Sequence, residues 1–155
     1  MKPNLYETYY ARLEALLGQP PETLEQDRVY RLKAPGFMDL VVEALWPCEE
    51  TGAAILSLAH YYELNGDLIQ DPEMTVRVFA PGSEWLRAFV PSTAEDRGRV
   101  EALTFQQGGF PSICQKIYPS PGMVRPKLRR DLNDFLGQWL RNLASQGHQR
   151  VEPPT

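Results

Sequence analysis

The sequence predicts an α+β fold: an antiparallel meander sheet with N-terminal and C-terminal helices packed on one face. Three observations carry this. Each end of the chain holds an apolar stripe at helical spacing, the middle alternates with the period of two that marks strands, and Gly, Pro and Asn punctuate it at hairpin spacing. Helices segregated from consecutive hairpins argue for α+β over alternating α/β, and sequential strands usually neighbour one another. With 155 residues in the chain, one domain is expected over 1–148 and a frayed tail over 149–155.

Asn4 is placed to cap the first helix, with Glu7 three positions on in capping-box spacing. Leu5, Tyr9, Leu13 and Leu16 form its stripe, widened by Tyr6, Tyr10 and Leu17, and Gly18 with Pro20-Pro21 stops it. The tyrosine rings are read as packing on the sheet in preference to a dimer contact. Residues 29–33 read as a strand and Ala34-Pro35-Gly36 as its turn. Residues 37–46 form an apolar run that also fits a helical stripe through Phe37, Leu40, Val41, Ala44 and Leu45. Its shortness, with Pro35-Gly36 before it and Pro47 after it, favours a central strand ending at Trp46. Residues 47–52 are a loop.

In the middle, Leu56, Leu58, His60, Tyr62 and Leu64 share one face of a strand, and Ser57, Ala59, Tyr61 and Glu63 share the other. Asn65-Gly66 supplies a tight turn. Asp71-Pro72 reads as a second turn, because Pro cannot donate to a sheet ladder. Met74, Val76 and Val78 then alternate with Thr75, Arg77 and Phe79, so residues 65–73 become an acidic connector between two strands. Pro81-Gly82-Ser83 turns the chain into a strand over 85–90, expected to pair with 74–80, and 91–98 is an exposed loop. A weaker pair over 100–106 and 113–118 surrounds Gly108-Gly109, and Pro119-Ser120-Pro121-Gly122 is a linker. The last helix carries the clearest stripe: Leu128, Leu132, Phe135, Leu136, Trp139, Leu140 and Leu143. Asn133, Asp134, Gln138, Arg141 and Asn142 fall opposite, and Gly147 ends it.

The net charge of −4 and pI near 5.2 disfavour general binding of nucleic acid. No apolar run reaches the roughly 20 residues needed to cross a bilayer, and no signal peptide is evident. No membrane association and a cytoplasmic location are therefore expected. Cys48 and Cys114 form no metal or redox spacing and read as free thiols in a reducing compartment, their reactivity open.

Residues 59–78, AHYYELNGDLIQDPEMTVRV, resemble uncharacterised bacterial domain-of-unknown-function families found on chromosomes and conjugative elements. His60-Tyr61, Asn65-Gly66-Asp67-Leu68 and Asp71-Pro72-Glu73-Met74 carry the resemblance. Met74-Thr75-Val76-Arg77 and residues 133–147 are similar to a second short family, of enterobacterial type. Together these span about 55–147 and leave out the N-terminal helix. The resemblance implies an accessory role in plasmid, phage or host-interaction biology and brings no catalytic residues with it.

Three groups are weighed as sites. Asp67, Leu68, Ile69, Asp71 and Glu73 form a candidate recognition loop, an apolar anchor with a charged rim. The same acids with Glu63 offer hard oxygen ligands for Ca²⁺, Mn²⁺ or Mg²⁺, but the spacing fails the EF-hand pattern, so no metal and no cofactor is expected. His60 as a base with Cys114 as nucleophile lacks a third group to orient the imidazole, and a hydrogen-bonded structural His is the preferred reading. Arg125, Lys127, Arg129 and Arg130 gather where a helix begins, an uncomfortable place for cations that points to an anionic partner. Pairing with Asp131 and Asp134 is the competing account, and no aromatic interleaves with the cluster. The reading is a non-catalytic accessory protein that binds another macromolecule, expected to be a protein, as monomer or homodimer. Its alternatives are a small metal-dependent hydrolase using the acids from Glu63 to Glu73, or a nucleic-acid accessory protein using Arg125 to Arg130.

Overall fold

The computed structural model describes residues 4–84, 97–109 and 111–151. Helix α1 spans Leu5–Leu17, and Asn4 Oδ1 accepts the Glu7 N–H at 2.9 Å, as the cap spacing predicts. The Glu7 carboxylate lies 3.7 Å from Arg97 and 4.0 Å from Arg99, tying the helix to the far end of the chain's middle. Gly18 closes α1 at φ 74°, a left-handed conformation that suits glycine.

Strands β1 (Val29–Lys33), β2 (Leu40–Ala44), β3 (Ala54–Leu64), β4 (Asp67–Phe79), β5 (Arg99–Gln107) and β6 (Ile113–Lys116) follow as an antiparallel meander. Helix α2 (Pro126–Gln146) and a short β7 (Gln149–Val151) complete the chain, giving the order β6-β5-β4-β3-β2-β1-β7. Leu32, Leu40, Val42, Leu56, Leu58, Met74, Val76 and Val100 form one core with Leu13 and Leu17 of α1 and Leu136, Leu140 and Leu143 of α2. Both helices therefore cover the same face of the sheet. The expected α+β meander holds.

Four expectations change in detail. Strand β2 is shorter than the apolar run 37–46: Phe37 and Met38 precede it, and Trp46, 82% exposed, lies beyond it. The acidic connector is not a loop. Asn65 (φ 53°) and Gly66 (φ 86°) make the whole turn, and β4 starts at Asp67, paired with Leu64. Pro72 is tolerated because the register shifts there: Ala59 pairs with Glu73 and Tyr61 with Gln70, so no ladder donor is required. Residues 85–90, expected to pair with 74–80, lie outside the described residues; among the described residues β4 pairs with β3 and with β5.

The tail is the fourth. Gln149–Val151 pairs antiparallel with Arg31, Leu32 and Lys33, and the Arg150 guanidinium lies 4.7 Å from the Tyr30 ring centroid while donating to Leu17 O and Gln19 Oε1. Edge pairing, not fraying, occupies the start of the segment expected to be loose.

Candidate binding site

The register puts one row of residues across the face away from the helices: Glu43, Ser57, Thr75, Thr104 and Lys116, each opposite the next. Beside it runs a second row, Ile55, Arg77 and Glu101. Among the described residues neither helix covers this face. A cavity of about 730 Å³ lies on it, floored by Ile55, Thr75, Arg77 and Thr104. One wall is the turn after β2, at Cys48 and Glu50; the other is the connector from Tyr118 to Val124, with Lys116 and Arg129 at the edge.

Arg77 and Glu101 form an ion pair, with Arg77 Nε donating to Glu101 Oε1 at 2.6 Å and both side chains 15% exposed. Burial works against the Arg77 charge, and the Glu101 carboxylate more than offsets it, so the pKa stays above the usual arginine value. The same guanidinium lies 5.4 Å from the Tyr118 ring centroid. Burial first, then the Glu101 carboxylate, pushes the Tyr118 hydroxyl up, although the Arg77 and Arg129 guanidinium groups pull the other way. On the floor, the Thr75 and Thr104 hydroxyls bond each other at 2.6 Å.

Cys48 sits in a turn tied by its own N–H to Ala53 O (2.8 Å) and by the Gly52 N–H to Cys48 O (2.7 Å). Burial pushes its thiol up. The Thr51 hydroxyl, the Thr51 and Glu50 amides and the Arg77 guanidinium together pull it below the ordinary thiol value. Sequence reading did not single out Cys48, Arg77 or Tyr118 as a group. They come from a loop, a strand and a linker that only the register brings together; the one visible hint was the breaker-rich run 119–122.

The expected sites fall elsewhere or divide. Asp67 and Leu68 are exposed at the hairpin tip, Leu68 at 65%, and Ile69 is half-buried opposite Tyr62. Asp71 Oδ1 accepts from Gln107 Nε2 at 2.6 Å, and Glu73 lies opposite Ala59. The register shift opposite His60 breaks the alternation that would put these acids on one face, and among the described residues no three His, Cys, Asp or Glu side chains gather to hold a metal. Of the basic cluster, Arg125 donates to Lys116 O at 3.2 Å and Arg129 lines the cavity, while Lys127 and Arg130 are exposed.

His60 and Cys114 do not meet. Cys114 is exposed on β6, and His60 is buried on the helix face. Trp139 Nε1–H donates to His60 Nε2 at 3.1 Å, which leaves Nδ1 to donate to Asp39 O at 2.8 Å and fixes the neutral tautomer. Desolvation by burial is the main cause holding its pKa below the ordinary histidine value. The unfolded chain, with a histidine pKa of about 6.5, takes this proton first as pH falls. The contribution is present above that value and lost as pH falls through the folded pKa. We expect the melting temperature to drop between pH 7.5 and 5, and the drop to shrink in His60→Gln; equal slopes would place the titration elsewhere.

The family described as Domain of unknown function (DUF6908) matches residues 11–149. That span begins inside α1 and takes in β1 and β2, so it is wider than the stretch from 55 to 147 that the resemblance covered. No curated protein and no solved structure matches the chain.

Proposed function

We propose, for a chain that belongs to the DUF6908 family, a non-catalytic binding role in which another protein is held at the face of the sheet away from the helices. The observation that supports this reading is the cavity of about 730 Å³ on that face, a size and mixed lining typical of sites that hold a ligand group. The setting in this reading is the cytoplasm, and a bacterial accessory role linked to mobile elements follows from the resemblance of residues 59–78 alone. The hydrolase alternative has less support, because the acids of β4 point to different sides and Asp71 is bonded to Gln107. The nucleic-acid alternative also has less, since Arg125 is engaged with Lys116 O and the net charge is −4.

The test compares capture of proteins from cell extract by three immobilised chains: wild type, Ile55→Trp, which fills the cavity floor, and Asp67→Lys with Glu73→Lys, which reverses the hairpin acids. A partner retained by wild type should bind Ile55→Trp at least about tenfold more weakly, roughly 1.4 kcal/mol, and the hairpin variant normally. Retention by a folded Ile55→Trp, or loss by the hairpin variant alone, moves the binding surface off the cavity.

A further inference from the structure

We infer that the cavity takes a small amphiphile with an anionic head and an apolar body, the head between Lys116 and Arg129 and the body over Ile55, Leu103 and Val124. This rests on the reading above in one respect, that ligand occupies the same cavity.

The charge of the lining decides the head group. Arg77 is neutralised by Glu101, so it adds no net charge to the floor. Lys116 and Arg129 remain at the edge against one lining acid, Glu50. Lys116 is exposed, and no carboxylate is paired with Arg129 among the described residues, which leaves its guanidinium charge unbalanced. Hydrogen bonds from such cations to a carboxylate or phosphate are shorter and stronger than neutral ones. The floor supplies a further donor: Thr75 and Thr104 have two hydroxyl protons and share one bond, so one O–H is left for a ligand oxygen.

The apolar part follows from what lies between the walls. Ile55 and Leu103 on the sheet side face Met123 and Val124 on the connector side, and Met123 is 58% exposed and Val124 40% exposed. Covering such surface with an alkyl body removes apolar area from water, which favours binding. A cationic amphiphile would meet Lys116 and Arg129 head-on, and an inorganic anion would leave the apolar walls wet.

Two cysteines provide the readout. Cys48 lines the cavity and Cys114, exposed on β6, does not, so each molecule carries its own control. Alkylation of each by iodoacetamide, followed by mass spectrometry, is measured with decanoate, decyl phosphate or decylammonium below their micelle concentrations. Decanoate or decyl phosphate should slow Cys48 at least about tenfold at saturation and leave Cys114 unchanged, and whichever protects at lower concentration identifies the head group. Lys116→Gln with Arg129→Gln should raise the protecting concentration at least about tenfold. Lys116→Gln alone, at an exposed position, serves if the double variant is unstable. Unchanged Cys48 alkylation with both anions, equal protection by decylammonium, or unchanged protection in the variants overturns the inference. If Ile55→Trp still loses the captured partner in that case, the amphiphile fails and the binding role stands. If decanoate protects while partner capture ignores Ile55→Trp, the reverse holds.

Discussion

Trp139→Asp is expected to destabilise the fold by about 3–5 kcal/mol, a large part of the roughly 5–15 kcal/mol available to a domain. Trp139 is 7% exposed on α2, and its ring lies 5.4 Å from His60 and 5.8 Å from Phe135. The substitution removes that packing, buries a carboxylate, and takes away the N–H that His60 Nε2 accepts. Trp139→Phe separates these terms. It keeps most of the packing and loses only the donor, so about 1–2 kcal/mol is expected, together with a shallower dependence on pH as Nε2 becomes free to take a proton. Urea unfolding of both variants checks this. A Trp139→Asp midpoint equal to wild type would remove α2 from the core. Phe135 does not share the effect. It sits at the rim, 36% exposed, edge-on to Phe105 at 5.5 Å, so only half of the aromatic pair expected on the buried stripe is there.

What was legible in the chain was local. The Asn4 cap, the Gly18 and Gly147 stops and the Asn65-Gly66 turn each depend on a few adjacent residues, and each sits where its chemistry requires. What was hidden depends on pairing between distant segments. Asp71-Pro72 reads as a turn until the shift opposite His60 removes the need for a proline donor. Residues 149–151 read as a tail until β1 offers an open edge at Arg31 to Lys33. The cavity is hidden for the same reason. Arg77 against Glu101 is a cross-strand pair, and no spacing within either strand announces it.

Asn133→Leu is the sharpest case of this kind, with an expected loss of about 2–4 kcal/mol. The helical wheel puts Asn133 on the polar side of α2, yet it is 2% exposed. The cause lies in the sheet. Between β4 and β5 the register shifts, with Thr75 opposite Thr104 and Val76 opposite Ala102, so Leu103 is an extra residue. Asn133 Oδ1 accepts the Ala102 N–H at 2.9 Å, its Nδ2 donates to Arg129 O at 2.8 Å, and its carbonyl accepts the Tyr9 hydroxyl at 2.7 Å. The side chain thus ties α2 to the bulge of β5, and the main-chain carbonyl of the same residue adds α1. Leucine fills similar space but leaves a buried amide unpaired, which alone costs about 1–3 kcal/mol. Asn133→Asp tests the account by charge. Its carboxylate still accepts from Ala102 but faces Arg129 O without a proton, and burial raises its pKa above the unfolded value of about 3.9. Its deficit relative to wild type should therefore shrink as pH falls from 7 towards 4, because protonation restores the donor. Comparing the two chains at each pH cancels the opposite trend from His60. A constant deficit, or an Asn133→Leu chain in which the Ala102 amide keeps its protection from hydrogen exchange, would show that this amide finds its partner elsewhere.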